Sequence, residues 1–376
     1  MSAPRVYGWC PGALRPMMSG DGLVVRVRAL LGRLTPAQAR GIADLSQQYG
    51  NGLIDLSSRA NIQLRGMSEE GHPTLIDGLR DLDLIDRDIA AETRRNLIVQ
   101  PFWKPGDATE TIARHLTDKL AATDAPDLPG KFGFAVDCGP RPCLSATSAD
   151  IRIEQGMDGL ICRPDGAPTG RPVTETTAAD AALALARWFL DTGGVSNGRG
   201  RMAAHIARTG LPDGCDQPAI TAQPAPAPGK VEAGVLVGLE FGQMRATTLA
   251  ALAEHGALRL TPWRMVLIEG ADDAPALDDL ITDPSDPRLR VTACTGAPGC
   301  PQALSPTRDI ARSLAGQTPR HVHVSGCTKG CAHPGPAART IVATGSDRFD
   351  VIHDGRASDT PARTGLTLTD LLSGVL

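Results

Sequence analysis

The chain contains two copies of one sequence pattern. Residues 52–66, GLIDLSSRANIQLRG, align without a gap with residues 256–270, GALRLTPWRMVLIEG, and the terminal glycines and the apolar positions coincide. Each copy is preceded by a stretch with helical spacing of apolar residues, and before that by a β-rich run. A further short helix is predicted after each copy, near residues 74–82 and 275–281. Strand, helix, strand, strand, helix occurs twice and predicts two ferredoxin-like half-units.

A second pair of stretches repeats at an offset of 189 residues. KFGFAVDCG, residues 131–139, aligns with RHVHVSGCT, residues 320–328, and GMDGLICRPDG aligns with GSDRFDVIHDG at the same offset. Agreement of two stretches on one offset favours duplication over chance similarity between two α/β segments. We therefore predict an α+β fold that is internally duplicated, with two ferredoxin-like half-units and two α/β sheet modules related by pseudo-twofold symmetry.

A segment of alternating proline and alanine, DQPAITAQPAPAPGK, separates the two copies and favours an extended linker. With 376 residues, the chain is long enough for several domains, each with its own apolar core. The predicted order is half-unit 1 at 1–90, a substrate-binding α/β module 1 at 91–215, the linker at 216–230, half-unit 2 at 231–285 and α/β module 2 at 286–376.

The composition limits the partners and the location of the chain. The formal net charge is −4, no run of five like charges occurs and aromatic residues are few, so nucleic acid is not an expected partner. No stretch approaches about eighteen consecutive apolar residues, and no basic start with an apolar core opens the chain. We therefore expect no membrane association and a cytoplasmic location. Nine cysteines in such a chain indicate thiol or metal chemistry rather than disulfides.

Four cysteines of the second copy have the spacing of a cluster site. Cys294 and Cys300 form C-x5-C in ACTGAPGC, and Cys327 and Cys331 form C-x3-C in GCTKGC. Four thiolates from two loops can bind a cubane iron–sulfur cluster, and the glycines let the backbone approach its sulfides. Zinc sites more often use C-x2-C, and inert buried thiols are the other alternative. The spacing favours a [4Fe–4S] cluster that these four residues would coordinate.

The remaining five cysteines show no such pattern. Cys138 aligns with Cys327 but lacks partners at matching places, which favours a buried or vestigial thiol over a ligand. We interpret the other four as ordinary thiols: Cys10, Cys143, Cys162 and Cys215.

This cysteine spacing in the second half of a duplicated chain resembles the sirohaem-dependent sulfite and nitrite reductases, over nearly the whole length. In that family an arginine after a Thr/Ser pair, a second arginine in an Arg-Asn element and two lysines in Lys-Phe-Lys face the tetrapyrrole and its anion. The resemblance assigns these roles to Arg59 in SSRANIQLRG, Arg95 in TRRNL and Lys131 in LPGKFGF. Gly133 stands where the second lysine would be.

The patterns CPGALRP, RANIQLRG and KFGFAVD are more similar to the precorrin-3B synthase branch of this superfamily. That resemblance implies a monooxygenase that uses dioxygen to hydroxylate precorrin-3A, a tetrapyrrole of aerobic cobalamin biosynthesis, at a meso carbon with lactone formation. It also implies a [4Fe–4S] cluster for electron delivery and a mononuclear non-haem iron for oxygen activation, whereas sirohaem is less favoured. A separate NADH-linked reductase or ferredoxin would donate electrons, because no G-x-G-x-x-G turn indicates a built-in nicotinamide or flavin site.

A precorrin carries acetate and propionate groups around its rim, and guanidinium groups pair with carboxylates in bidentate geometry. Candidate substrate-binding residues are Arg59, Arg65, Arg95 and Lys131, and no catalytic residue can be named. Arg59 and Arg65 are six residues apart, so a regular strand through both would place them on one face. For Arg65 a solvated surface charge is an equally weighted alternative.

His321 and His323 alternate in RHVHVSG and would share one face of a strand. At the offset of 189, Lys131 and Gly133 align with Arg320 and Val322; if that side faces the cavity, both histidines face away from it. The pattern favours core or surface histidines over iron ligands, with His333 as a looser candidate.

Two other functions compete with the monooxygenase. A small sirohaem-dependent sulfite or nitrite reductase agrees with the fold and the cysteine motif. Gly133 weakens it, because reduction of a small oxyanion requires concentrated positive charge and proton donors. An electron-transfer iron–sulfur protein without a substrate of its own is the alternative from another class.

Overall fold

The structure, a computed structural model, describes residues 11–373, so Cys10 lies outside the described residues. Half-unit 1 contains β1 (Met17–Ser19), β2 (Gly22–Val27), β3 (Arg33–Leu34), α1 (Pro36–Tyr49), β4 (Leu53–Leu56), β5 (Ile62–Met67) and α2 (His72–Asp81). Helix α1 begins where its sequence predicts, because Thr35 and Gln38 form a reciprocal capping box and Pro36 occupies the first turn.

Module 1 follows directly along the chain. Its elements are α3 (Ile89–Arg94), β6 (Leu97–Val99), α4 (Ala108–Ala121), β7 (Phe134–Asp137), β8 (Ile151–Gly156), β9 (Gly159–Pro164), β10 (Thr169–Pro172), α5 (Ala178–Asp191), α6 (Met202–Thr209) and β11 (Gln217–Pro218). Residues 221–228, in the middle of the proline- and alanine-rich segment, contain no helix or strand.

The second half repeats this arrangement. Half-unit 2 contains β12 (Gly229–Val231), β13 (Gly234–Leu239), β14 (Gln243–Arg245), α7 (Ala246–Glu254), β15 (Leu258–Leu260), β16 (Met265–Glu269) and β17 (Leu280–Ile281). Module 2 contains β18 (Val291–Ala293), α8 (Thr307–Ala315), β19 (Val322–Ser325), β20 (Ala337–Gly345), β21 (Arg348–Gly355), β22 (Arg363–Leu366) and α9 (Leu368–Leu372). Single 3-10 turns lie at Leu30–Gly32, Glu240–Gly242 and Pro287–Arg290.

The short helix predicted near residues 275–281 does not form. Its last two residues instead make β17, which pairs with the end of β13. A segment of about seven residues is a marginal helix on its own, and its last two residues gain strand pairing with β13 instead. The corresponding helix of the first copy, α2, is present.

The two half-units exchange strands. One antiparallel sheet has the order β1-β2-β5-β4-β14, and the other has the order β12-β13-β16-β15-β3. Strand β14 of the second copy thus completes the first sheet, and β3 of the first copy completes the second. Helices α1 and α7 pack together. The expected separate cores are therefore one continuous apolar core, which includes Val25, Ile54, Val237 and Ile268.

The two modules have the same sheet topology. Their orders are β6-β7-β8-β9-β10-β11 and β18-β19-β20-β21-β22, and in each the first three strands are parallel and the later pairs antiparallel. Each module has its own apolar core against its helices, built around Phe134 and Phe189 in module 1 and Phe349 in module 2.

Backbone details repeat between the half-units as well. Leu31 and Phe241 have φ of 51° and 52°, and Ala60 and Arg264 have φ of 55° and 61°. Residues other than glycine seldom adopt positive φ, so the same exception at equivalent positions marks a shared backbone. The predicted fold class, a duplicated α+β architecture, is confirmed. No helix within residues 11–373 is long and apolar enough to cross a membrane.

Candidate active site

The four cysteines of the predicted motif lie at one edge of the module 2 sheet. Cys294 directly follows β18, and Cys300 lies in the same loop before α8. Cys327 and Cys331 lie in the loop between β19 and β20. Strands β18 and β19 are parallel neighbours, so both loops leave the carboxyl edge of the sheet, where α/β folds usually build their sites.

The four thiols interact electrostatically. Burial raises the pKa of Cys327, and Cys294 and Cys300 raise it further. Burial likewise raises the pKa of Cys331, the most exposed of the four, and all three other thiols add to that increase. The Gly326 N–H donates to Cys294 Sγ at 3.2 Å.

The two iron cofactors implied by the resemblance place different demands on these residues. Within residues 11–373, no three His, Cys, Asp or Glu side chains are arranged to hold a single metal ion, so a mononuclear iron does not fit the described side chains. A [4Fe–4S] cube instead binds each thiolate through a different iron, so its four sulfurs surround the group rather than converge on one point. Four interacting thiols on two glycine-containing loops fit that cofactor.

The histidines point the opposite way from the sequence expectation. Phe134 and Val322 begin equivalent strands, β7 and β19, each the second strand of its module sheet. Phe134 pairs with Leu97 at the start of β6, and Val322 pairs with Val291 at the start of β18, so the two residues occupy the same position. The strand offset is therefore 188, and an irregularity in β20 near Ala343 restores 189 beyond it. The inference that the histidines face away is wrong, since a shift of one residue reverses the face of every side chain.

His323 consequently lies on the face of the sheet opposite the module core. It is fully buried, and neither ring nitrogen has a hydrogen-bond partner among the described residues. The His333 ring lies 4.7 Å from that of His321 and 5.7 Å from that of His323, measured between centroids. Burial, with smaller contributions from His333, His321 and Arg264, lowers the pKa of His323 to about 3, so its imidazole is neutral at physiological pH.

Half-unit 1 turns a polar face away from the shared core. Val25 and Val27 enter the core, while Arg26 and Arg28 project from the opposite face and are only 8% and 7% exposed. The Nε atoms of both arginines lack a hydrogen-bond partner among the described residues. Burial, together with the charge of Arg26, lowers the pKa of Arg28 to about 10. Arg28 Nη1 lies 3.3 Å from Glu92 Oε1, and Arg26 Nη2 donates to Gln63 Oε1 at 3.5 Å. The charge of Arg28 is therefore partly balanced within the chain, while the two Nε–H groups remain available to a further acceptor.

These two arginines were not among the sequence candidates. The signal was present, since VVRVR alternates apolar and cationic residues along a strand and therefore places both arginines on one face.

The structure brings Arg59 and Lys131 together. Arg59 Nη2 donates to the Lys131 carbonyl at 3.0 Å and to Ser148 Oγ at 3.1 Å. Lys131 itself is exposed. Arg59 lies in the turn between β4 and β5, so no regular strand runs through Arg59 and Arg65, and the expected shared face does not arise.

Arg65 and Arg95 are held by carboxylates of the chain. Arg95 makes a bidentate pair with Asp86, with Nε–Oδ1 at 2.7 Å and Nη2–Oδ2 at 2.8 Å. Arg65 is only 4% exposed, which excludes the solvated surface charge. It donates twice to Asp21 and once to Asp55. Their roles as substrate ligands stay predictions.

Gly133 has no space for a side chain. A Cβ atom at this position would lie 2.8 Å from Asn96 Nδ2 and 3.0 Å from the Asn96 carbonyl. Asn96 is buried and donates to the Phe132 carbonyl at 2.8 Å, so it cannot easily move. The packing around Gly133 therefore leaves no room for the lysine that the sulfite and nitrite reductases have at this place.

A cavity of about 250 Å³ lies between half-unit 2 and module 2. Its lining includes Ser58, Trp263, Arg264, Thr292 and Ala332. Arg264 donates to the Ala332 carbonyl at 3.0 Å, next to Cys331, and Ser58 precedes Arg59. The lining therefore includes the sequence neighbours of Cys331 and of Arg59.

Comparison with known proteins identifies relatives along nearly the whole chain. Residues 15–82 match the nitrite/sulfite reductase ferredoxin-like half domain. Precorrin-3B synthase from Sinorhizobium sp. is 28% identical, and the alignment covers 94% of this chain and 84% of that protein. Ferredoxin–nitrite reductase from Synechococcus elongatus is 25% identical, with 85% and 76% covered.

A solved structure shows the same fold. The NirA protein of Mycobacterium tuberculosis superimposes with a TM-score of 0.62 at 18% identity, over 94% of this chain and 79% of that protein. The half-domain match, the relatives and the shared fold together show that the chain is similar to the nitrite and sulfite reductases, and to precorrin-3B synthase along nearly its whole length.

Proposed function

We propose that the protein is a monooxygenase that converts precorrin-3A to precorrin-3B with dioxygen, with lactone formation, in aerobic cobalamin biosynthesis. The observation that carries this proposal is the 28% identity to precorrin-3B synthase over 94% of the chain. The space-filling contact at Gly133 supports the same choice, because the second lysine of the sulfite and nitrite reductases cannot be accommodated there without rearrangement.

A polycarboxylate substrate would account for the buried cations of half-unit 1. The Nε–H groups of Arg26 and Arg28 have no partner among the described residues, although Arg28 also pairs with Glu92, and a carboxylate of the substrate would satisfy these buried donors. Arg59 and Lys131 would meet further carboxylates of the rim at the more open end of the site. Because the net charge is −4, attraction of a polyanion depends on this local group of cations rather than on the field of the whole protein.

Cys294, Cys300, Cys327 and Cys331 would hold a [4Fe–4S] cluster, which when bound supplies one-electron transfer. The chain contributes four thiolates and the Gly326 N–H, which donates to the sulfur of Cys294. Cys331 is the exposed member of the set. A separate NADH-linked reductase or ferredoxin would therefore deliver electrons at the loop that contains Cys331.

The test is turnover by the reconstituted protein. After anaerobic reconstitution with iron and sulfide, the protein is supplied with precorrin-3A, a reductant and isotopically labelled dioxygen. We expect a product heavier by one labelled oxygen atom, and no such product from Cys327→Ser treated in the same way. Unaltered precorrin-3A with the wild-type protein in the presence of an intact cluster would contradict the proposal.

The half-domain match and the nitrite reductase relatives support a second candidate, a sirohaem-dependent nitrite or sulfite reductase. A strong chlorin-type absorption band in the purified protein, with consumption of nitrite or sulfite, would favour it. A broad brown absorption without that band, with tight binding of a polycarboxylate tetrapyrrole, favours the monooxygenase. Failure to bind any tetrapyrrole would favour the electron-transfer protein.

A further inference from the structure

The two half-units contain an ion pair at the same place with its charges exchanged, and in both the arginine is buried. Asp55 on β4 pairs with Arg65 on β5, with Oδ2 and Nη1 3.3 Å apart. The positions 204 residues later are Arg259 on β15 and Glu269 on β16, which also form a hydrogen-bonded ion pair. Each copy therefore keeps one arginine at this place, on alternate members of the strand pair.

Each of these arginines binds a loop in the opposite half of the molecule. Arg65 Nη2 donates to the Gly299 carbonyl of module 2 at 2.7 Å. Arg259 Nη1 donates to the Pro101 and Trp103 carbonyls of module 1 at 3.1 and 2.6 Å. Both loops follow the first strand of their module, β18 or β6. The arginines are thus pseudo-symmetric clamps on equivalent loops.

Only one of the two loops carries thiols. Gly299 is adjacent to Cys300, and its carbonyl accepts three hydrogen bonds from half-unit 1: from Ser19 Oγ at 2.6 Å, from Arg65 Nη2 at 2.7 Å and from the Gly20 N–H at 3.2 Å. The equivalent loop of module 1 contains no cysteine, and Arg259 lies over its Trp103 ring at 3.8 Å from the centroid.

The N–H groups of the Arg65 guanidinium are already used in contacts within the chain, so few remain to bind an external ligand. Nε and Nη2 donate to Asp21 at 2.9 and 2.7 Å, Nη1 donates to Asp55 at 3.3 Å, and Nη2 also meets Ser19 and Gly299. Asp55 in turn accepts from Arg308 at 2.7 Å, at the start of α8. The loop that contains Cys294 and Cys300 is therefore tied to half-unit 1 near its middle, at Gly299, and just beyond its C-terminal end, at Arg308.

We propose that Arg65 is a positioning residue for the iron–sulfur cluster rather than a substrate ligand: it holds the Cys300 loop through the Gly299 carbonyl and so governs cluster retention and reduction potential. This inference rests on the proposed cluster site. A rigid ligand loop opposes loss of the cluster, and a fixed cation near the cluster favours its reduced, more negative form. Removing Arg65 would also take away the positive charge that pairs with the carboxylates of Asp21 and Asp55.

Arg259 provides a matched control, because it is equally buried and clamps the loop without thiols. Wild type, Arg65→Lys, Ser19→Ala and Arg259→Lys are reconstituted anaerobically with iron and sulfide. Cluster loss in the presence of an iron chelator and the midpoint potential of the cluster are then measured. Thermal unfolding of the apo proteins reports the general loss of stability.

We expect Arg65→Lys to lose its cluster about tenfold faster than wild type, the factor that corresponds to one lost charge-assisted hydrogen bond. We also expect a changed potential in this variant, because a lysine ammonium cannot keep its charge in the position that Arg65 holds through Asp21, Asp55 and the Gly299 carbonyl. Ser19→Ala removes one donor to the Gly299 carbonyl without unpairing a charge, so we expect a smaller acceleration of cluster loss. If Arg65→Lys does not fold, the rate of cluster loss from Ser19→Ala tests the proposal in its place. Arg259→Lys should retain its cluster and potential as wild type does, despite a lower unfolding temperature.

Wild-type rates and potentials in both Arg65→Lys and Ser19→Ala would overturn the proposal, as would equal effects in Arg259→Lys. A wild-type protein that takes up no cluster would overturn the cluster site and this inference together. A wild-type protein that holds a cluster unaffected by the Arg65 and Ser19 changes would overturn this inference alone.

Discussion

Module 1 and module 2 share their sheet order but differ in the loop after the first strand. In module 1 this loop carries Phe102 and Trp103, and Phe102 stacks on Trp263 with centroids 6.3 Å apart. In module 2 it carries Cys294 and Cys300. The two modules are equivalent scaffolds, and in only one of them does this loop carry two of the thiols proposed to hold the cluster.

The half-units differ in a complementary way. Arg26 pairs with Gln63 across β2 and β5, and the equivalent pair across β13 and β16 is Leu236 with Leu267. The same face is therefore cationic in half-unit 1 and apolar in half-unit 2, where Leu236 and Leu267 form a buried apolar cluster. The candidate site combines the cationic face of one copy with the thiol loops of the other.

Replacement of a thiol should show the largest difference between the modules. Cys331→Ser should prevent stable cluster incorporation, because a cubane needs four soft ligands, whereas Cys138→Ser should incorporate iron and sulfide as wild type does. Iron and sulfide content after reconstitution measures both. Equal loss of iron in the two variants would contradict the assignment of the site to module 2.

Arg26→Leu replaces a cation of the half-unit 1 face by leucine, the residue at the equivalent position 236 of half-unit 2. Loss of a charge-assisted contact should weaken tetrapyrrole binding about tenfold to a hundredfold. The apo protein should be as stable as wild type or more so, because removal of an unsatisfied buried charge relieves a desolvation cost. Binding titration and denaturant unfolding measure the two effects. The exposed Arg40→Leu on α1 is the control, and unchanged affinity in Arg26→Leu would show that this face does not bind the substrate.

Gly133→Lys restores the lysine of the sulfite and nitrite reductases and should destabilise the protein by about 1–3 kcal/mol, because the new side chain meets Asn96. Gly316→Lys is a matched control, since an added Cβ there meets no atom within 4 Å. Urea unfolding compares the two variants. Wild-type stability in Gly133→Lys would mean that packing does not enforce the glycine.

The smallest expected effect concerns pH. The pKa of His323 is lowered to about 3 in the folded protein, against an ordinary value of 6.5. Between these values the unfolded chain binds a proton that the folded chain does not, so stability falls as the pH falls through this window. His323→Ala, which installs the equivalent Ala135 of module 1, should flatten this dependence in the apo protein. His353→Ala, an exposed histidine on β21, should leave the slope unchanged; an unchanged slope in His323→Ala would contradict a buried neutral imidazole.

Short-range patterns were sufficient for much of the fold. Helix α1 has its capping box and proline in the sequence, and the glycine-bounded hairpins carry their alternation of apolar residues in both copies. The exchange of β3 and β14 could not be predicted, because strands of two and three residues have no periodicity of their own. Their pairing depends on how the two half-units dock.

Some features of the candidate site could likewise be predicted from the sequence, and others only from the structure. The sequence alone determined the duplication and the four thiols, since spacing and residue identity carry that information directly, and its resemblance to the sulfite and nitrite reductases drew attention to Gly133. Only the tertiary structure decided which face His323 occupies, because one irregularity in β20 changes the register, and which loop Arg65 clamps. Contacts between residues more than two hundred positions apart depend on the packing of the two copies, and no local pattern in the chain encodes them.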